Sequence, residues 1–104
     1  MNESEFLNIS DAVFDRIETA MDAPELDVDV NRNGNVLEIE FDDGAKVIVN
    51  RHLPNQEIWL AARSGGFHYR RDEQGNWVST RDGGEFYMQL SELVKAHTGV
   101  VPRF

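Results

Sequence analysis

From Ser4 to Asp22 the apolar residues Phe6, Ile9, Val13, Ile17 and Ala20 recur at intervals of three and four, the period of an α-helix. Asn2 with Glu5 three residues later has the form of an N-cap pair, and Pro24 sets a stop just past the pattern. The period then shortens to two. Leu26, Val28 and Val30 alternate with Asp27 and Asp29, which predicts a strand with one apolar and one acidic face. Asn33-Gly34 reads as a type I′ hairpin turn into a second strand, where Leu37, Ile39 and Phe41 alternate with Val36, Glu38 and Glu40. Asp43-Gly44 reads as another such turn, ahead of the β-branched run Val47-Ile48-Val49. Further strands are expected at 58–62, 67–70 and 77–80, separated by Gly65-Gly66 and Gln74-Gly75-Asn76. Such short connections favour antiparallel neighbours. Helical spacing returns in Phe86, Leu90, Leu93 and Val94, between the turn Asp82-Gly83-Gly84 and a stop at Gly99.

The order helix, about six strands, helix predicts an α+β fold. It is a two-layer sandwich with the N- and C-terminal helices packed on one face of an antiparallel sheet, the other face left to solvent. A chain of 104 residues suits a single domain spanning 1–104. The tail Val100-Val101-Pro102-Arg103-Phe104 is apolar enough to lie back over the helix pair.

Charge changes this picture. The chain has 19 acids against 10 bases, a formal charge of -9. Nine of the acids but only one base, Arg16, lie in residues 1–29, so the remainder is nearly neutral. On a helical wheel Asp11, Asp15, Glu18 and Asp22 fall within an arc of about 60°, opposite the apolar stripe. Like charges one turn apart cost a few tenths of a kcal/mol per pair, and a face serving only solubility would intersperse lysines. The stripe therefore reads as functional. An acidic excess repels nucleic-acid phosphate and anionic lipid, and attracts cations and basic protein surfaces. With an acidic N-terminus and no apolar run of about 20 residues, a cytoplasmic protein off the membrane is expected.

The chemistry of the side chains excludes more than it selects. There is no cysteine, hence no disulfide and no thiolate-held zinc or cluster. No P-loop, dinucleotide fingerprint, nucleophile elbow or HExxH occurs, and His52, His68 and His97 lack metal-ligand spacing, so an enzyme is not expected. Oxygen ligands suit hard cations. Candidate ligands are Asp11, Asp15, Glu18 and Asp22 on the helix, with Glu25, Asp27 and Asp29 following in the loop and first strand. Exposed carboxylates without a cage imply weak, multiple sites. In the middle of the chain Ile58 and Leu60 face the core while Trp59 points to the open face. A tryptophan there beside Asn50 and Arg51 has the composition of a protein-binding hot spot.

Taken together these segments resemble the bacterial frataxin family. The resemblance rests on the acidic first helix opening Met-Asn-x-Ser-Glu-Phe, and on the strand Gly-x-Val-Leu-x-Ile-x-Phe from Gly34 to Phe41. It continues through Val47-Ile48-Val49 into Asn50-Arg51, then Ile58-Trp59-Leu60-Ala61 and Gly65-Gly66-Phe67-His68-Tyr69, covering nearly the whole chain in order. It implies a frataxin fold and a role in iron–sulfur cluster assembly. Iron, Fe2+ or Fe3+, would be held weakly on an acidic ridge matched by Asp11, Glu18, Asp22, Asp27 and Asp29. The implied partners are a cysteine desulfurase and the iron–sulfur scaffold protein, met by Glu18 and Asp22 and by the sheet-face residues Asn50, Arg51 and Trp59. Thr19, Ala23, His52 and Glu57 depart from the pattern, the first two where relatives often carry acid and the last two where glutamine is common. A monomer is expected. The competing readings are an iron carrier or buffer without a dedicated partner and an acidic nucleic-acid mimic; confinement of the charge to one end of the chain speaks against the mimic.

Overall fold

The computed structural model describes all residues, 1–104. Its elements are α1 (Glu3–Met21), β1 (Val28–Asn33), β2 (Val36–Phe41), β3 (Lys46–His52), β4 (Glu57–Ala62), β5 (Gly65–Arg71), β6 (Trp77–Ser79) and α2 (Phe86–Thr98). The strands form one antiparallel meander in the order β1-β2-β3-β4-β5-β6. The expected two-layer architecture is what the chain adopts.

Each boundary has a local cause. The Asn2 side chain accepts the Glu5 amide at 2.8 Å and so satisfies a free N–H at the start of α1. Glu85 does the same for α2, accepting from Tyr87 and Met88, and Gly99 closes that helix with φ 76°, a conformation open to glycine. The β1–β2 turn differs from the Asn-Gly expectation. Asn33 is still paired, with Val36, and the two-residue loop is Gly34-Asn35, where Gly34 takes φ 61° at the first central position. Asp43-Gly44 likewise sits within the longer loop 42–45, in which Phe41 donates to the Ala45 carbonyl. Leu26 and Asp27, expected in the first strand, precede it; Leu26 is buried in the connection.

The core lies between the helices and one sheet face. Leu37 and Ile39 of β2, Val47 and Val49 of β3, Ile58 and Leu60 of β4 and Tyr69 of β5 all turn inward by the two-residue alternation of strands. The Tyr69 hydroxyl donates to Gln89 of α2, and burial pushes its pKa up. Phe6, near the start of α1, meets Trp77 of β6 edge to face at 6.3 Å, whereas the later turns of α1 reach β1 through Arg32. The first helix thus crosses the sheet obliquely and delivers its acidic stripe to the β1 edge. The tail does fold back: Pro102 is buried and Phe104 packs on Tyr87 of α2 at 5.2 Å, with Arg16 of α1 over the same ring at 4.1 Å.

Candidate functional site

Two regions contain the residues singled out above. The first is the acidic stripe of α1. Its polar arc is set by the helical period, but its electrostatics come from two arginines on strands. Val28, Val30 and Arg32 share the helix-facing side of β1. Arg32 therefore reaches the stripe, with Nη1 2.6 Å from Asp15 and 2.7 Å from Glu18 and Nη2 3.2 Å from Asp11. The hydrogen bonds it donates to Asp15 first and Glu18 second raise the pKa of its guanidinium.

Arg51 stands somewhere other than expected. It continues the inward series Val47, Val49 and is paired with Ile58, so it points to the helix side, away from Trp59. There Nη1 donates to Asp11 at 2.5 Å, to Ser10 Oγ at 3.2 Å and to the Leu7 carbonyl at 3.4 Å, while Nε donates to Asn35 at 2.9 Å. Its side chain is only 12% exposed, so Arg51 acts as a clamp between β3 and α1.

Glu18 and Asp22 line a groove of about 500 Å3 with Met21, Val28 and Val30, between the end of α1 and β1. The remaining acids are dispersed. Glu25 and Asp27 border a smaller hollow of about 180 Å3 with Asp42 and His97. Asp29 is paired with Glu40 on the outer sheet face, because the strand pleat sends it to the side opposite Val28 and Val30. No three of the Asp, Glu and His side chains stand close enough to enclose a metal ion. The carboxylates form a string along α1 and β1 rather than a cage.

The second region is the outer sheet face. Asn50, Trp59 and His68 lie side by side across β3, β4 and β5. Trp59 is half-buried, and its ring is stacked on both sides: against His52 at 4.0 Å and 9°, and against His68 at 4.2 Å and 7°. Its Nε1–H donates to Glu57 at 2.9 Å. A partner therefore meets the edge of a three-ring ladder rather than an open indole face. Glu57, 3% exposed, also accepts from Arg70 at 2.7 Å and lies 3.7 Å from His68. Burial alone would raise its pKa, but the hydrogen bonds from Trp59 and Arg70 prevail and leave it lowered. Sequence reading missed Arg32, Glu57 and the two flanking histidines as parts of these regions. The parity of each strand was the available signal, since it places Arg32 with Val28 and Val30, and His52 with Asn50.

Comparison with known proteins agrees with this architecture. The family model described as a frataxin-like domain matches residues 1–100. A protein of Chromobacterium violaceum named iron-sulfur cluster assembly protein CyaY is 59% identical over 99 residues, covering 95% of this chain and 93% of the relative. One of the same name from Ralstonia pickettii is 49% identical over 104 residues, covering 96% and 91%. Among solved structures, a frataxin from Psychromonas ingrahamii superposes with a TM-score of 0.92 at 34% identity, covering 98% of this chain and 96% of the other. Trimeric frataxin from Saccharomyces cerevisiae, described as complexed with ferrous iron, gives 0.72 at 26% identity over 96% and 88%.

Proposed function

This chain belongs to the frataxin-like family, and we propose that it is an iron-binding adaptor and regulator of iron–sulfur cluster assembly that docks on the cysteine desulfurase through the α1 ridge. The observation that carries this reading is the exposed acidic face of α1, held by a clamp from β3 and ending in the Glu18–Asp22 groove. A row of carboxylates on a rigid helix suits a basic surface, so association weakens as salt rises. The Trp59 ladder and Asn50 offer a second, apolar and polar contact on the outer face for the scaffold protein. Iron is cargo in this reading. The donors are oxygens and the sites open, so binding is weak and spread over Asp11, Asp15, Glu18, Asp22, Glu25, Asp27 and Asp29. The role is non-catalytic, and no helix is long and apolar enough to cross a membrane.

The test is charge reversal. Glu18→Lys with Asp22→Lys should weaken binding to the desulfurase by more than about tenfold, read by titration at low salt, because four unit charges change at the contact. Retention of full affinity sinks the docking model. The second reading, an iron carrier or buffer without a dedicated partner, is favoured by the description of the yeast frataxin as complexed with ferrous iron. It predicts Fe2+-induced NMR broadening confined to α1 and β1 in a protein that fails to bind the desulfurase. The yeast protein is described as trimeric, whereas a monomer is our reading for this chain; sedimentation with and without Fe2+ decides between them.

A further inference from the structure

The ridge already holds a cation of its own, and the geometry says which of its carboxylates that cation occupies. One guanidinium spans three acids over two helical turns, at 3.2 Å from Asp11, 2.6 Å from Asp15 and 2.7 Å from Glu18. Asp11 is shared with Arg51, but the Arg51 side chain is tied beneath the helix by Ser10 and Leu7 as well. Arg32 has no comparable anchor: beyond the three carboxylates, its guanidinium lies over the Phe14 ring at 5.2 Å. Glu18 belongs to two arrangements at once, since it pairs with Arg32 and also lines the groove with Asp22, which has no ion-pair partner. A cation bound in that groove competes with Arg32 for the Glu18 carboxylate.

We propose that Arg32 is an intramolecular competitor for the acidic ridge, which sets how tightly the ridge takes a divalent cation by occupying Asp15 and Glu18 until that ligand displaces it. The inference rests on the ridge being a cation-binding surface, as argued above. Displacement is feasible because these pairs are exposed: the side chains of Arg32, Glu18 and Asp15 are 25%, 43% and 70% accessible. Partly exposed ion pairs exchange at small cost. Arginine suits the role better than lysine, because its planar fork can bond several carboxylate oxygens at once while an ammonium is a point charge.

The experiment is a titration with Mn2+ alone, followed by paramagnetic broadening of the α1 amides, in the full chain and in Arg32→Gln, Arg32→Lys and Lys46→Gln. Lys46 pairs with Glu38 on the outer face, on the side of the sheet opposite Asp15 and Glu18, so Lys46→Gln removes the same unit of charge without touching the competitor. Arg32→Gln should lower the Mn2+ midpoint by about three- to tenfold, Arg32→Lys by less, and Lys46→Gln by under about twofold, the small changes expected of exposed charges. The same amide spectra report whether each variant is folded, and Arg32→Lys, which keeps the charge, carries the test if Arg32→Gln does not fold. A midpoint for Arg32→Gln no lower than that for Lys46→Gln overturns the proposal, as does an absence of α1 broadening at millimolar Mn2+ in all four proteins. The first result, with α1 broadening present, removes only the competitor; the second removes the cation-binding reading with it, whether or not desulfurase docking is intact. Unchanged desulfurase affinity in the charge-reversal protein removes the docking reading and leaves the Mn2+ comparison standing.

Discussion

The α1 ridge and the Trp59 ladder both place carboxylates against arginine, yet they use them differently. On the ridge, Asp15 is 70% exposed and Glu18 43%, and one arginine serves several acids. In the ladder, a single carboxylate, Glu57, is sealed at 3% exposure and holds both Arg70 and the Trp59 indole N–H. Water screens the first set, so its charges remain free to meet another molecule at little cost to the fold. In the second it is kept from the carboxylate, and loss of that acceptor leaves the indole N–H of the half-buried Trp59 without its partner. Arg51 stands between the two cases: its guanidinium is buried under α1, but the acid it meets, Asp11, is 46% exposed.

This contrast can be broken by measurement. The largest loss should come from Arg51→Ala, about 2–3 kcal/mol in urea unfolding, because the Leu7 carbonyl, Ser10 and Asp11 lose a shared donor beneath the helix. Glu57→Ala should cost about 2 kcal/mol and shift the Trp59 emission, while Glu57→Gln, which can still accept from the indole, should cost about half as much. The Glu57 effect depends on pH in a stated direction. Its pKa is lowered in the folded state, so its stabilisation is complete above the unfolded value, about 4.5, and is lost as pH falls through the folded value. The gap between wild type and Glu57→Gln should therefore be present at neutral pH and narrow only as pH falls below 4.5 and through the lowered folded-state value. Removing residues 100–104 should cost about 1–2 kcal/mol by uncovering Tyr87, read as a lower melting temperature. Smallest of all, Glu18→Gln and Asp22→Asn should change stability by under about 0.5 kcal/mol while still weakening the docking proposed for the ridge. A large stability loss in that last pair would erase the distinction between the two regions.

Much of this was readable from residue order. The period of three and four between Phe6 and Ala20 marks α1, and it also fixes the acids on the opposite arc. Alternation marks β2 clearly, since Leu37, Ile39 and Phe41 turn inward while Glu38 and Glu40 turn outward; β4 is marked less sharply, because its outward set includes Trp59 and Ala61. The Trp59 surroundings were less legible because stacking joins β3, β4 and β5, and nothing in a single strand announces that His52 and His68 will close on the same ring. Arg51 was misplaced by adjacency to Asn50, although strand parity assigns neighbouring residues to opposite faces.

The sequence by itself determined the layers and the sign of the surface, because periodicity and charge are local properties that each helix or strand carries alone. Only the tertiary structure decided which charges are spoken for. Arg32 meets Asp15 and Glu18 across 17 and 14 residues, and Arg51 meets Asp11 across 40. Those pairs exist because α1 crosses the sheet obliquely and passes over β3 and β1, a placement set by packing a whole helix on a whole sheet.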